Sequence, residues 1–408
     1  MKLQELKISP DQVQAGMYVC RLDRPWVEAP FPLQGFLVEA HDQVAWLRAH
    51  CGTVWIDVER GLAPPDAQVS RRPPPKLAGD ELLGGKRYTD QVDFDAELPG
   101  AREAHATATR LATRILEDVE AGQKLAVADV RAAAEPIVRS VLRNADTLFW
   151  VNTLQQHSRY AYSHAINCCA LAAAFGRHLG LPESLLVDLA SGGLLLDVGK
   201  AKLPDALLSH DGPMDARAMG EVRTHVELAS RILDESGDDH SAEVREMIRT
   251  HHERWNGSGY PRRLVGHQIP LSGRMAAIID SFDAMTSVRP HAAPLARHQA
   301  LQELYRERDR LYQGELVEQF TGCLGVYPTG SLVELSTGEV AVVMTQNPSR
   351  RLRPRVMLLT DADKRLRDEF SPLDLMRQTE GIPISQQVNI TRPLPVGAHG
   401  LDPAELFL

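Results

Sequence analysis

Cysteine is scarce in this chain of 408 residues: five in all, Cys20, Cys51, Cys168, Cys169 and Cys323. An odd, scattered set with no C-x-x-C spacing excludes a disulfide framework and a zinc ribbon, and points to a reducing compartment. Basic charge is in deficit as well. Lys and Arg number 45 against 54 Asp and Glu, a net charge of −9, so no basic surplus exists to coat DNA or RNA. A local basic pocket for a small phosphorylated ligand stays open. No stretch approaches the roughly 20 apolar residues that span a bilayer. The N-terminus, MKLQELKISPDQ, lacks a signal-peptide core. The expectation is a cytoplasmic protein with no membrane partner, long enough for two or three domains.

What is present divides into segments. Residues 1–61 read as a small α/β domain. Met17–Cys20, Phe36–Val38 and Val54–Ile56 have strand character, and Gln43–His50 offers a short helix with Val44 and Leu47 on one face. Its aromatic residues Trp26, Phe31, Phe36, Trp46 and Trp55 read as core rather than as a binding face. Residues 62–100 read as a linker, because Pro64-Pro65 and Pro73-Pro74-Pro75 suit neither a helix nor an inner strand. Residues 101–325 are helical throughout, with apolar residues three and four apart, as at Ile115 and Val119. Pro182-Glu183 marks a helix start after Gly180-Leu181. Residues 326–408 form a β-rich extension: a hairpin of Ser331–Leu335 and Glu339–Thr345 around Thr337-Gly338, then Val356–Leu359. The tail beyond about Ser371 reads as irregular. The fold class is therefore multidomain: a mainly α helical bundle between a small α/β end and a small β-rich end.

The helical region carries a series of metal-capable side chains on separate segments: His164, Asp197, His225, the pair His251-His252, and Asp280, with Lys200 three residues after Asp197. Mixed imidazole and carboxylate donors suit iron, manganese or zinc. Two metals sharing a carboxylate stabilise the attacking and leaving oxygens of phosphodiester hydrolysis. Each residue also has an ordinary reading. A single helical His is most often a surface or core residue. Asp197 and Asp280, each after an apolar run, could be cap or core carboxylates with a local partner, and Lys200 could favour a helix C-terminus. The ordered set is what points to a metal centre.

That ordered set resembles the HD-GYP family, a branch of the HD superfamily of metal phosphohydrolases. The match runs over about residues 150–325, through His164, Asp197-x-Gly199-Lys200, His225, His251-His252-Glu253-Arg254, Gly257-Ser258-Gly259-Tyr260-Pro261, Asp280 and Arg289-Pro290. GMYVCRLDRPWVEAPFPLQGF resembles an N-terminal domain often fused to such proteins, and YPTGSLVELSTGEVAVV a small β-rich extension that often follows them. The resemblance implies an HD-type helical bundle that hydrolyses cyclic di-GMP to pGpG or GMP with divalent metal such as Fe or Mn. It implies that His164, Asp197 and Asp280 serve a first metal, and that His225, His251 and His252 serve a second, with Asp197 bridging. Lys200 would contact phosphate or assist proton transfer, making Asp197 and Lys200 the catalytic pair. Gly259, Tyr260 and Pro261 would line the entrance and meet GGDEF-domain partners. Arg289 would meet a guanine or a phosphate. A homodimer is the assembly it leaves open.

The sequence departs from the family at one ligand. The family motif is His-Asp; here it is Leu196-Asp197, and leucine cannot ligate a metal. The first of two metal sites is therefore expected to be weakened or empty. Asn256 replaces a usual Asp and keeps a turn-forming side chain. His291-Ala292 replaces an aromatic and basic pair, which removes a cation near the ligand. Three readings follow: a phosphodiesterase with impaired activity, a catalytically inactive cyclic di-GMP receptor, and a protein-interaction module. A general nucleotidase is disfavoured by the GSGYP run.

Overall fold

A computed structural model describes residues 5–23, 36–38, 41–58, 61–62, 84–155, 160–208, 212, 214–237, 239–288, 294–347, 352–377 and 387–407. The chain divides into two compact units, residues 1–80 and 81–408.

In the first unit, β1 (Glu5–Ile8), β2 (Tyr18–Leu22), β3 (Phe36–Leu37) and β4 (Val54–Asp57) form an antiparallel sheet of order β1-β4-β2-β3, with helix α1 (His41–His50) between β3 and β4 in sequence. Val44 and Leu47 of α1 are buried, as their spacing requires, along with Val19, Val54 and Ile56. The aromatic residues are less buried than expected. Phe36 is core, whereas Trp46 is half-buried and stacks on His50. Trp55 is half-buried beneath the Arg21 guanidinium, 3.8 Å from its ring centre. Trp26 and Phe31 lie outside the described residues, as do both proline runs.

The second unit opens on α2 (Phe94–Glu120) and α3 (Val127–Leu154), a long helical hairpin. Helix α2 starts at Phe94, inside the segment read as linker. Asp93 caps it by accepting from the Ala96 N–H at 2.8 Å, and Asp95 and Glu97 occupy its first turn, where the helix dipole favours acids. Residues 84–88 are also docked: the Gly84 N–H donates to the Leu179 carbonyl and the Tyr88 hydroxyl to that of Leu181. Helix α3 breaks at Asn144, whose Oδ1 accepts from the Thr147 N–H and restarts the helix. Between the helices, buried Glu97 accepts from Ser140 and Arg143, which satisfies an otherwise costly buried carboxylate.

The bundle continues through α4 (Tyr160–His178), α5 (Glu183–Leu195), a 3₁₀ turn at Val198–Lys202, α6 (Asp205–Leu208), α7 (Ala216–Arg223), α8 (His225–Glu235), α9 (Ala242–Thr250), α10 (Leu271–Thr286), α11 (Arg297–Arg306) and α12 (Gly314–Leu324). Five antiparallel strands follow: β5 (Leu332–Leu335), β6 (Val340–Thr345), β7 (Arg355–Thr360), β8 (Leu366–Asp374) and β9 (Ile390–Pro393), in the order β8-β7-β6-β5-β9, with α13 (Pro403–Leu406) last. The tail read as irregular thus supplies the end of β8, all of β9 and a short helix. Residues of β6 alternate between two cores, as a strand buried on both faces must. Val340, Val342 and Met344 pack with Phe94, Trp150 and Leu154 of the long hairpin; Ala341 and Val343 pack with Val333, Val356 and Leu375. Asp146 of α3 pins the sheet to the bundle, accepting from Thr329 Oγ1 at 3.0 Å and the Gln346 N–H at 2.7 Å.

Candidate metal centre

Five segments deliver the site. His164 sits on α4, Asp197 just past the end of α5, His225 opens α8, His251 and His252 close α9, and Asp280 lies on α10. Gly199 explains the D-x-G-K spacing. A Cβ there would collide with the His225 carbonyl and the Ala229 backbone, so only glycine lets the turn after Asp197 lie against α8. That close approach sets Asp197 Oδ1 3.4 Å from His225 Nε2.

The imidazoles on the α8/α9 side are oriented by the backbone. Nδ1 of His225 lies 2.7 Å from the Val222 carbonyl, and Nδ1 of His251 lies 2.8 Å from that of Ile248. A carbonyl takes only a donor, so each Nδ1 carries the proton and each Nε2 presents a lone pair. The two Nε2 atoms face each other at 3.3 Å. Asp197 Oδ1, beside them, is buried and has no hydrogen-bond partner among the described residues. Lone pairs and an orphaned carboxylate oxygen gathered in a buried space are what a cation satisfies. One donor atom from each of Asp197, His225, His251 and His252 falls within 4.8 Å of the others. Burial lowers the pKa of all three histidines, that of His251 to about 4, so they are neutral and able to ligate at pH 7. The residues fit a divalent metal on this side.

The α4/α10 side differs. Nε2 of His164 lies 3.5 Å from Asp197 and 3.4 Å from Asp280, and Nδ1 lies 2.7 Å from Asp283. Burial acts to lower its pKa but is outweighed by the Cys168 sulfur and the carboxylates of Asp280 and Asp283, which hold it well above the ordinary value. Asp280 also approaches His252 Nδ1 at 3.7 Å, so it spans both sides. Leu196 ends α5 and is buried, adding an apolar side chain next to Asp197. His164, Cys168 and Asp283 also gather within 4.8 Å, but the short Nδ1–carboxylate contact there is an orienting hydrogen bond. Asp283 escaped the sequence reading. Its signal was the Asp280-x-x-Asp283 spacing, which puts two carboxylates on one helix face.

Lys200 sets its ammonium 2.5 Å from Asp197 Oδ2. Burial raises the pKa of Asp197, but Lys200, His164 and His225 outweigh it and hold this carboxyl well below its usual range. The Tyr260 ring stacks on His252, centroids 4.6 Å apart, and the Arg223 guanidinium stands over Tyr260 at 5.0 Å. Gly259 lies so close to the His252–Arg254 backbone that a Cβ would strike it. Glu253, quoted in the motif without a role, proves to be the loop's anchor. It is fully buried, and its carboxylate accepts from the Arg262 and Leu264 N–H groups at 2.7 and 3.0 Å. Pro261 is exposed, and Arg289 lies outside the described residues, as do His291 and Ala292. Among the described residues no disulfide joins any of the five cysteines. Among the described residues no helix is long and apolar enough to cross a membrane.

Comparison with known proteins gives three consecutive family matches: a domain of unknown function (DUF3391) over residues 5–130, an HD domain over residues 146–316, and a KOW domain associated with HD domains over residues 332–391. A cyclic di-GMP phosphodiesterase of Pseudomonas aeruginosa is 31% identical over 92% of this chain and 91% of its own length. A 3'3'-cGAMP-specific phosphodiesterase of Vibrio cholerae is 35% identical over 41% of this chain and 32% of its own length. A cyclic di-GMP phosphodiesterase of Thermotoga maritima is 35% identical over 37% and 41% respectively. A helical HD domain with the ordered ligand series and the GSGYP loop, and a relative matched nearly end to end, make this chain a member of the HD-GYP family.

Proposed function

We propose that this chain is a metal-dependent phosphodiesterase that hydrolyses cyclic di-GMP to pGpG or GMP, with its metal held chiefly on the α8/α9 side. The observation that carries this reading is the pair of facing Nε2 lone pairs at 3.3 Å beside the unpartnered Asp197 Oδ1, a cation site in a chain whose long relative is a cyclic di-GMP phosphodiesterase. Divalent iron or manganese suits these donors, and when bound it supplies charge to the reacting phosphate and its water. Asp197, His225, His251 and His252 would hold that ion. His164 and Asp280 would be what survives of a second, weakened site without the histidine that Leu196 replaces. Lys200 fixes the second oxygen of Asp197 and stands ready to meet phosphate or move a proton. Tyr260, with Gly259 and Pro261, would form the entrance and the face offered to GGDEF-domain partners. Arg289 would contact the dinucleotide.

Leu196 favours a second reading, a receptor that binds cyclic di-GMP without turnover. Hydrolysis of cyclic di-GMP by the purified protein in Mn²⁺ or Fe²⁺, with Leu196→His beside it, separates the two. Turnover by the natural chain, with the variant only modestly faster, establishes the enzyme. A silent natural chain with an active variant establishes a receptor disabled at Leu196. Silence in both, with no binding, removes cyclic di-GMP as the ligand.

A further inference from the structure

Arg223 has no role in the reading above. It is exposed at the last turn of α7, and among the described residues no ion pair holds it. Its neighbours fix where it can act. Two residues on, His225 opens α8, and the Val222 carbonyl next to Arg223 receives the His225 Nδ1 proton, so the end of α7 is registered directly to a candidate metal ligand. Its guanidinium stands 5.0 Å from the Tyr260 ring centre, and that ring stacks at 4.6 Å on His252. One aromatic ring therefore separates an uncommitted cation from the ligand cluster. A guanidinium lying over an aromatic ring keeps its N–H edge free, and that edge pairs with the two oxygens of a phosphate. Asp197, Asp280 and Asp283 make the interior acidic, so a doubly charged ligand needs a cation at the mouth.

We infer that Arg223, standing over Tyr260, binds the second phosphate of a cyclic dinucleotide whose first phosphate sits at the metal cluster. The inference rests on the proposed substrate class.

The test is equilibrium binding to the metal-loaded full chain, using the phosphorothioate analogue of cyclic di-GMP, which resists hydrolysis, and GMP, which has a single phosphate. Arg223→Gln is expected to weaken the analogue about tenfold or more and GMP by less, and Arg223→Lys to recover part of the loss. Metal content and thermal midpoint report whether the variants are intact. Equal loss for both ligands, or unchanged binding of the analogue, overturns the assignment of Arg223 alone. Failure of the natural chain to bind the analogue overturns the substrate reading beneath it.

Discussion

The two sides of the centre use the same chemistry to opposite ends. On the α8/α9 side, backbone carbonyls take the Nδ1 protons of His225 and His251, and burial keeps these rings neutral, with lone pairs aimed at one point. On the α4/α10 side, a carboxylate takes the Nδ1 proton of His164 and two more face its Nε2, so this ring attracts a proton where its counterpart attracts a metal. An imidazole's partner, more than its burial, decides which cation it will hold.

The largest break in this comparison comes from deleting one ring on each side. His251→Ala is expected to lower affinity for Mn²⁺ by more than about 100-fold, since a direct ligand outweighs the 10- to 100-fold of a supporting partner. His164→Ala should cost clearly less. Isothermal titration on metal-stripped protein gives both numbers, and equal losses would show that the two sides act as one site.

Acid and alkali should also part the two sides in the metal-free protein. His251 is held at about 4 against 6.5 when unperturbed, so its contribution to stability is whole above pH 6.5 and is lost as pH falls toward 4. That loss is on the order of 3 kcal/mol. His164 is raised, so its contribution is whole below pH 6.5 and is lost as pH rises through its value in the fold. Urea melts across pH 4–9 should show His251→Ala flattening the acid limb and His164→Ala the alkaline limb. Leu196→His tests the asymmetry from the other direction. It should raise bound Mn²⁺ from about one to about two ions per chain and tighten the added site about tenfold or more relative to the natural chain. Elemental analysis after gel filtration counts the ions.

Much of the centre was legible because ligation needs particular residue types in a particular order. His164, Asp197, His225, His251, His252 and Asp280 could be named from spacing and resemblance, and folding brings all six together. What the sequence hid was the supporting layer. Backbone acceptors such as Val222 and Ile248 have no side-chain signature. Asp283 sits one turn beyond a more conspicuous aspartate, and Arg223 approaches Tyr260 only through the tertiary fold. The start of α2 was missed for a local reason: Asp93 is a plain N-cap, overshadowed by the proline runs before it. In the C-terminal sheet, β8 was missed because its residues Leu366–Asp374 are mostly polar or half-exposed, so the strand lacks the apolar alternation that revealed β6.

The smallest expected effect concerns the loop that covers the α8/α9 side and has no counterpart in the contacts of His164. Glu253 accepts from two backbone N–H groups with one buried carboxylate. Glu253→Gln keeps one acceptor and turns an amide NH₂ toward the other N–H, leaving a donor unpaired at a cost of about 1–3 kcal/mol. The cost falls on the loop that sets Tyr260 against His252, and α9 and the ligands it carries do not depend on it. Hydrogen exchange should therefore speed up about tenfold at residues 257–264 and stay unchanged in α8, while Mn²⁺ affinity falls by no more than about threefold, since loop opening alone removes no ligand. If exchange quickened in α8 as well, or metal were lost outright, the GSGYP loop would be part of the framework that holds the ligands, and the distinction between a rigid cluster and a clamped lid would fail.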